Sequence, residues 1–248
     1  MLTLMSDVAR KSLGPASRRR LKGMIDPILA PVGSIHGAKG PSNKVALTFD
    51  DGPDPVVTPR LLDLLRTRGV RATFFVLTDK AADRPELLRR IAEEGHEIGL
   101  HFDRHDRLTR MRLGEARRRV RAARAWLESL TGPVRFFRPP FGSQSLSTYM
   151  MARFEGLEVV SWGPYAEDWA EQAPETAAGK VLGPVKGGDI VLMHDGLEKP
   201  EGEALPTFDR VRMVELILDG LAARNLAPGA VGDLLADGGP RLSAWFRR

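Results

Sequence analysis

Two aspartates and two histidines stand at spacings that suit a metal site with an acid–base function. Asp50 and Asp51 are adjacent and are followed by a Gly-Pro pair. One carboxylate can bind a metal while its neighbour accepts a proton from water held there. The alternative is a simple turn, because Asp, Gly and Pro all favour turns. His101 and His105 are four residues apart, a spacing that would place both imidazoles on one side of a helical turn, near one cation.

The composition restricts the other kinds of site that the chain can contain. Its 248 residues include no cysteine, which excludes a disulfide scaffold, a thiol nucleophile and an iron–sulfur cluster. Any metal must therefore be bound by His, Asp or Glu. Hydrophobic residues make up 42% and charged residues 28%, as in ordinary globular chains. The apolar stretches are also far shorter than the roughly 18 residues that a membrane-spanning helix needs.

The elements that must position these residues alternate regularly from Lys44 onward. Short β-branched or aromatic runs predict strands, and longer segments of helical period predict helices, with Thr58 and Asp83 as two helix caps. Six or seven βα units of this kind predict an α/β fold with a parallel sheet closed into a barrel. The predicted strands are residues 45–49, 70–77, 97–100, 134–137, 157–162 and 189–193. The predicted helices include residues 113–130, 146–154, 175–182 and 208–223.

The candidate residues all follow predicted strands. In a (β/α) barrel the carboxyl ends of the strands converge on one face. Asp50 and His194, which are 144 positions apart, are therefore predicted to be neighbours. The remaining histidines, His36 and His96, receive no role. The set at the strand ends is Asp50, Asp51, His101, His105, Arg138, Asp168 and His194.

The net charge of +5 belongs to the N-terminal region. Residues 1–40 contain seven basic and two acidic residues, and the rest of the chain contains 30 of each. A nucleic-acid-binding surface is therefore disfavoured. We divide the chain into a basic extension, residues 1–43, and a single barrel domain, residues 44–248. We predict a cytoplasmic protein whose residues 1–40 contact an anionic membrane surface. The alternative is export, because residues 17–22 loosely resemble a twin-arginine signal.

From about residue 44 to 235 the chain resembles the polysaccharide deacetylases, carbohydrate esterase family four. Five motifs occur in the family's order: TFDDGP at residues 48–53, HFDRH at 101–105, RPPFG at 138–142, DW at 168–169 and LMH at 192–194. The resemblance implies a distorted (β/α) barrel of about seven parallel strands. It also implies one divalent metal ion, most often zinc, held by Asp51, His101 and His105.

The resemblance further implies hydrolysis of an N-acetyl group on an amino-sugar glycan or glycoconjugate. Asp50 would be the general base for the attack of metal-bound water, and His194 the general acid that protonates the departing amine. Arg138 would hold Asp50, and Asp168 would orient His194. Two alternatives remain: an O-acetyl esterase or other amidase on the same site, and a non-catalytic glycan-binding barrel. The presence of both Asp50 and His194 favours an enzyme.

The substrate contacts are also implied by the resemblance. The Phe141 backbone N–H would help to bind the oxyanion, and Trp169 with Leu192 would enclose the acetyl methyl group. Two positions depart from the family pattern. Phe102 stands where Ser or Thr usually follows the first histidine, so we expect one of the next two polar residues to brace the loop instead. Tyr165 stands where an Asp is common, which concerns the substrate subclass rather than catalysis.

Overall fold

The main sheet of the structure contains seven strands, each parallel to its neighbours. The structure is a computed structural model that describes residues 33–198 and 204–244. Its strands are β1 (Ser34–Ala38), β2 (Lys44–Asp50), β3 (Thr73–Val76), β4 (Glu97–Leu100), β5 (Phe136–Phe137), β6 (Glu158–Val159), β7 (Ile190–His194), β8 (Ala227–Gly229) and β9 (Pro240–Ser243). The strand order is β6-β5-β4-β3-β2-β7, and β8 pairs with the start of β2.

Helices cover the outside of this sheet because each presents an apolar stripe to it. Leu61, Leu62 and Leu65 of the first helix are buried, as are Leu88 and Ile91 of the third. The helices are α1 (Val57–Arg68), α2 (Thr78–Asp83), α3 (Pro85–Glu93), α4 (Leu113–Thr131), α5 (Leu146–Phe154), α6 (Pro174–Leu182), α7 (Arg210–Ala222) and α8 (Val231–Gly238). Two short 3₁₀ helices are Leu108–Arg110 and Pro140–Gly142.

The predicted order of strands and helices is confirmed, with differences at several ends. The strand at 97–100 and the helix at 146–154 have the predicted bounds. The strands at 134–137 and 157–162 shorten to two residues each, β5 and β6. After β5 the chain enters Pro139 and Pro140, which have no N–H to continue a strand ladder.

Both predicted helix caps are wrong. α1 begins after Val56, whose own side chain makes no capping bond, and Thr58 lies inside the helix. Asp54 Oδ1 accepts hydrogen bonds from the Val56 and Val57 N–H groups, each at 2.8 Å. The Thr58 hydroxyl instead donates a hydrogen bond to the buried carboxylate of Asp195, at 2.6 Å. Asp83 ends α2, and Arg84 precedes α3, also without a side-chain cap. The Thr58 hydroxyl, which the local pattern assigned to a helix cap, thus donates to a residue that is distant in sequence.

β1 fills the gap between the two ends of the seven-stranded sheet. The Ile35 carbonyl accepts a 2.7 Å hydrogen bond from Ser161 N–H just after β6, and Ala38 N–H donates at 2.8 Å to the Gly188 carbonyl just before β7. β1 also pairs antiparallel with β9. The barrel closes through a strand that lies outside the βα series, which confirms a distorted (β/α) barrel. Residues 34–38, which the predicted division assigns to the basic extension, form this strand of the folded body, and the division itself stays a prediction.

Most of the predicted basic extension, residues 1–32, lies outside the described residues. The membrane contact through residues 1–40 and its alternative, export, therefore stay predictions. Within residues 33–198 and 204–244, no helix combines the length and the apolar character that crossing a membrane requires.

The closure through β1 predicts that its buried side chain contributes to stability. Ile35 is 3% exposed, so Ile35→Ala should lower the free energy of unfolding by about 2 to 5 kcal/mol through lost burial and a cavity. Urea denaturation measures this difference. Val56→Ala is the control, because Val56 is 65% exposed, and it should change the free energy by less than about 0.5 kcal/mol. Equal small effects would show that β1 does not close the barrel.

Candidate metal centre and active site

The carboxyl ends of the strands bring the predicted residues into one cavity. Asp50 ends β2 and His194 ends β7, and the two residues are direct partners in the parallel ladder. His101 follows β4 and Arg138 follows β5. These strand ends surround a cavity of about 480 Å³. The predicted residues that line it are Asp50, Asp51, His101, His105 and His194. The prediction that Asp50 and His194 are neighbours is confirmed.

Asp51, His101 and His105, called the metal triad below, converge on one point. Their ligand atoms all lie within 4.8 Å of one another. Nε2 of His101 is 3.1 Å from Asp51 Oδ1, and Nε2 of His105 is 3.3 Å from the same oxygen. That oxygen is buried and accepts no hydrogen bond from the described residues.

The tautomer of His101 explains why the Asp51 oxygen needs a cation. Nδ1 of His101 lies 2.7 Å from the Arg138 carbonyl. A carbonyl can only accept, so Nδ1 carries a proton, and in the neutral tautomer the Nε2 lone pair of His101 is directed toward Asp51. Two lone pairs at this distance repel unless a positive ion lies between them. The metal triad therefore fits a divalent metal, with two imidazoles and one carboxylate as its donors.

His105 is also suited to bind a metal. Burial lowers its pKa to about 4, and this effect exceeds the opposing influence of the Asp51 charge. The imidazole is therefore neutral near pH 7 and keeps a lone pair for coordination.

The loop that contains both histidine ligands is not a helical turn, contrary to the prediction from their spacing. Phe102 has a φ of +98° and a fully buried side chain. Asp103 braces the loop, because its two oxygens accept hydrogen bonds of 2.7 and 2.8 Å from Arg119. Its backbone carbonyl also accepts one from Asp79 N–H, at 3.1 Å. The expected brace after Phe102 is thus Asp103, whereas Arg104 pairs with Asp79 at the surface.

Arg138 holds Asp50 in the barrel interior. Its side chain is completely buried, and Nη1 lies 2.7 Å from Asp50 Oδ1 and 2.7 Å from the Thr48 hydroxyl. The Thr48 hydroxyl donates a hydrogen bond to the Val191 carbonyl at 2.6 Å. The Arg138 guanidinium carbon lies 4.1 Å from the centroid of the Phe75 ring. Sequence reasoning assigned no role to Thr48. The signal was its two-residue spacing from Asp50, which puts both on one face of a strand.

Asp168 orients His194 through two contacts. Its Oδ1 lies 2.7 Å from His194 Nδ1, and its Oδ2 accepts a 2.7 Å hydrogen bond from the His194 backbone N–H. Burial by itself lowers the pKa of His194, but the charge and hydrogen bond of Asp168 raise it to about 9. His194 is therefore an imidazolium near pH 7, with its Nε2 proton free for transfer.

Aromatic side chains form the exposed wall of the cavity. Trp169 is 41% exposed and meets the His194 ring edge-on, with centroids 5.6 Å apart. Tyr165 stacks on Trp169 at 5.8 Å and an interplanar angle of 11°, but Tyr165 itself lines a different cavity. Leu192 is buried beneath, and Phe141 stands opposite in the 3₁₀ helix, with a φ of +59°.

Several further lining residues received no role in the sequence analysis. Trp162, Arg107 and Glu198 line the cavity beside the predicted residues. Trp162 follows a predicted strand, which was an available signal. Arg107 and Glu198 lie in irregular segments, where no periodic pattern indicates the direction of a side chain.

The metal triad predicts metal binding that depends on both imidazoles. His101→Ala and His105→Ala should each remove most of the bound metal, because two remaining protein ligands hold a divalent ion weakly. Mass spectrometry of protein dialysed after metal loading measures the content. Asp50→Asn is the control and should keep the metal, since Arg138 and not the metal triad binds Asp50. Stoichiometric metal in both histidine variants would contradict the assignment.

Known proteins provide an independent comparison. Residues 37–160 match the family model described as polysaccharide deacetylase. A peptidoglycan-N-acetylglucosamine deacetylase of Bacillus cereus is 38% identical over 158 residues, which are 62% of this chain and 58% of that protein. A chitooligosaccharide deacetylase of a Bradyrhizobium species is 36% identical over 198 residues, covering 77% of this chain and 90% of that protein.

A solved structure agrees with the sequence relatives. The peptidoglycan deacetylase PdaC from Bacillus subtilis superposes with a TM-score of 0.68 at 28% identity, covering 78% of this chain and 90% of that one. The family model spans half of the 248 residues and contains the metal triad and Arg138. The chain therefore belongs to the polysaccharide deacetylase family.

Proposed function

We propose that the protein is a metal-dependent hydrolase that removes N-acetyl groups from an amino-sugar glycan. The observation that carries this proposal is a single cavity that combines the metal triad with a held carboxylate, Asp50, and an imidazolium, His194. The name of the Bacillus cereus relative, an N-acetylglucosamine deacetylase, supports the same reaction.

The metal triad would hold zinc, which suits two imidazoles and one carboxylate. A zinc ion bound there would polarise the acetyl carbonyl and lower the pKa of a water molecule to about 7. Asp50 stands ready to accept the proton of that water. Its Oδ1 is held by Arg138, and its Oδ2 lies 3.9 Å from Nε2 of His101 and so faces the metal triad.

His194 completes the reaction on the other side of the cavity. It donates its proton to the amide nitrogen as the C–N bond breaks, so the products are acetate and a free amine. The Phe141 N–H stabilises the oxyanion, a contact of about 3 kcal/mol for one donor. Trp169 and Leu192 enclose the acetyl methyl group.

The proposed base and acid predict large losses of turnover. Asp50→Asn should lower kcat on an N-acetylated chitooligosaccharide by about 10²-fold or more, because it removes proton transfer and not a metal ligand. His194→Ala should do the same. The assay measures acetate and free amine together, with metal content and thermal stability as controls for folding. Full activity of either variant would remove that residue from the mechanism.

The same assay separates the alternatives. Acetate without free amine, released from O-acetylated xylan, would indicate an O-acetyl esterase. Glycan binding without any acetate release by the zinc-loaded protein would indicate a non-catalytic glycan-binding barrel. Equal release of acetate and amine supports the N-deacetylase.

The contact between Asp168 and His194 predicts a change in pH dependence. His194 acts in its protonated form, so kcat/KM should fall as the pH rises through the His194 pKa of about 9. Asp168→Asn removes the charge that raises this pKa, so the fall should occur at lower pH. The pH profile of kcat/KM measures the shift. Glu158→Gln, which removes a carboxylate paired with Arg135 far from the cavity, should leave the profile unchanged. An unshifted profile in Asp168→Asn would contradict the role of His194 as the acid.

A further inference from the structure

Arg107 carries a positive charge at the rim of the catalytic cavity. It lines the cavity, and its guanidinium carbon lies 3.9 Å from the centroid of the Phe141 ring. The same Phe141 ring packs against His105 of the metal triad, with centroids 4.1 Å apart. One aromatic ring therefore separates the guanidinium from a metal ligand.

The carboxylates next to Arg107 in the chain are already paired with another arginine. Arg119 binds both oxygens of Asp103, at 2.7 and 2.8 Å, and Oδ2 of Asp106 at 2.8 Å. Within residues 33–198 and 204–244, Arg107 forms no ion pair of its own. The loop thus uses its acidic residues to fix its fold and leaves one guanidinium facing the cavity.

The carboxylates that line the cavity are paired as well. Glu198 contacts Lys80, with 2.8 Å between Oε1 and Nζ, and Asp50 is held by Arg138. Asp51 belongs to the metal triad. Arg107 is therefore the lining cation that has no protein anion assigned to it among the described residues.

We propose that Arg107 is an anion-binding subsite, and that the substrate carries a carboxylate or a phosphate close to the acetylated amino sugar. The guanidinium carbon lies over the Phe141 ring, and a guanidinium stacked on an aromatic ring keeps its edge N–H groups to bind two oxygens of an anion. Sugar acids and sugar phosphates present that shared chemistry. This inference rests on the proposed function, and it names the class of substrate on which the deacetylase acts.

The test compares three disaccharides on the zinc-loaded protein. N,N′-diacetylchitobiose is neutral, its 1-phosphate carries a phosphate, and N-acetylglucosaminyl-N-acetylmuramic acid carries a carboxylate. At least one charged probe should have a lower KM than the neutral probe, and this difference in KM should decrease at high NaCl concentration. Arg107→Gln should lower kcat/KM for that probe about tenfold relative to the neutral one.

The matched control is Arg110→Gln. Arg110 lies three residues further along, at the end of the 3₁₀ helix, and its side chain is exposed. The substitution removes the same charge from the same loop but not from the cavity. It should therefore leave the ratio of kcat/KM between the charged and the neutral probe within about twofold of the wild-type ratio. A similar shift in both variants would indicate a diffuse charge effect and would overturn the subsite.

The remaining outcomes separate this inference from the proposed function. An equal loss of kcat/KM for all three probes in Arg107→Gln would show that Arg107 only supports Phe141, and would overturn the inference. An unchanged kcat/KM for every probe would overturn it as well. Release of acetate by the wild-type protein with no preference for a charged probe would also overturn it, while the proposed function stands. If no probe is hydrolysed, the proposed function fails, and calorimetric binding of the probes to wild-type and Arg107→Gln protein decides the subsite.

Discussion

Arg138, whose guanidinium is completely buried, is the residue on which both halves of the site depend. A charge without water must be paired, and Arg138 is paired by Asp50 and by the Thr48 hydroxyl. Its backbone carbonyl fixes the tautomer of His101. One residue thus holds the proposed base and also directs Nε2 of His101 toward the candidate metal position. Removing it would leave Asp50 buried without its partner, a change that typically costs about 3 to 5 kcal/mol.

Two partly buried histidines of the same cavity have pKa values on opposite sides of 7, about 4 for His105 and about 9 for His194. Burial lowers both pKa values. The difference comes from Asp168, which accepts a hydrogen bond from the His194 ring and not from His105. A neutral imidazole can bind a metal, whereas an imidazolium can donate a proton. Groups whose environments separate their pKa values in this way divide the roles of a site.

The sequence predicted the site better than it predicted the closure of the barrel. Parallel strands place their carboxyl ends together, so Asp50 and His194 could be paired without knowledge of any side-chain contact. The helical turn assumed for the two histidine ligands was wrong because Phe102 adopts a positive φ that no periodicity reveals. The cap assumed at Thr58 was wrong because α1 begins earlier, where Asp54 accepts hydrogen bonds from the first N–H groups, and the Thr58 hydroxyl donates to Asp195, distant in the chain. β1 was missed for a related reason, since its partners lie after β6, before β7 and in β9.

The residues deep in the cavity and those at its rim differ in how exposed they are to solvent. Asp50, Asp51, His101, Arg138 and Asp168 are all at most 3% exposed, so their geometry is set by the packing of the barrel. The rim is different, because aromatic rings there keep about two fifths of their surface in contact with solvent. Exposed rings and an unpaired guanidinium contribute little to the stability of the fold. They are placed to contact a ligand, so under the proposed function we expect the choice of glycan to depend on these rim residues.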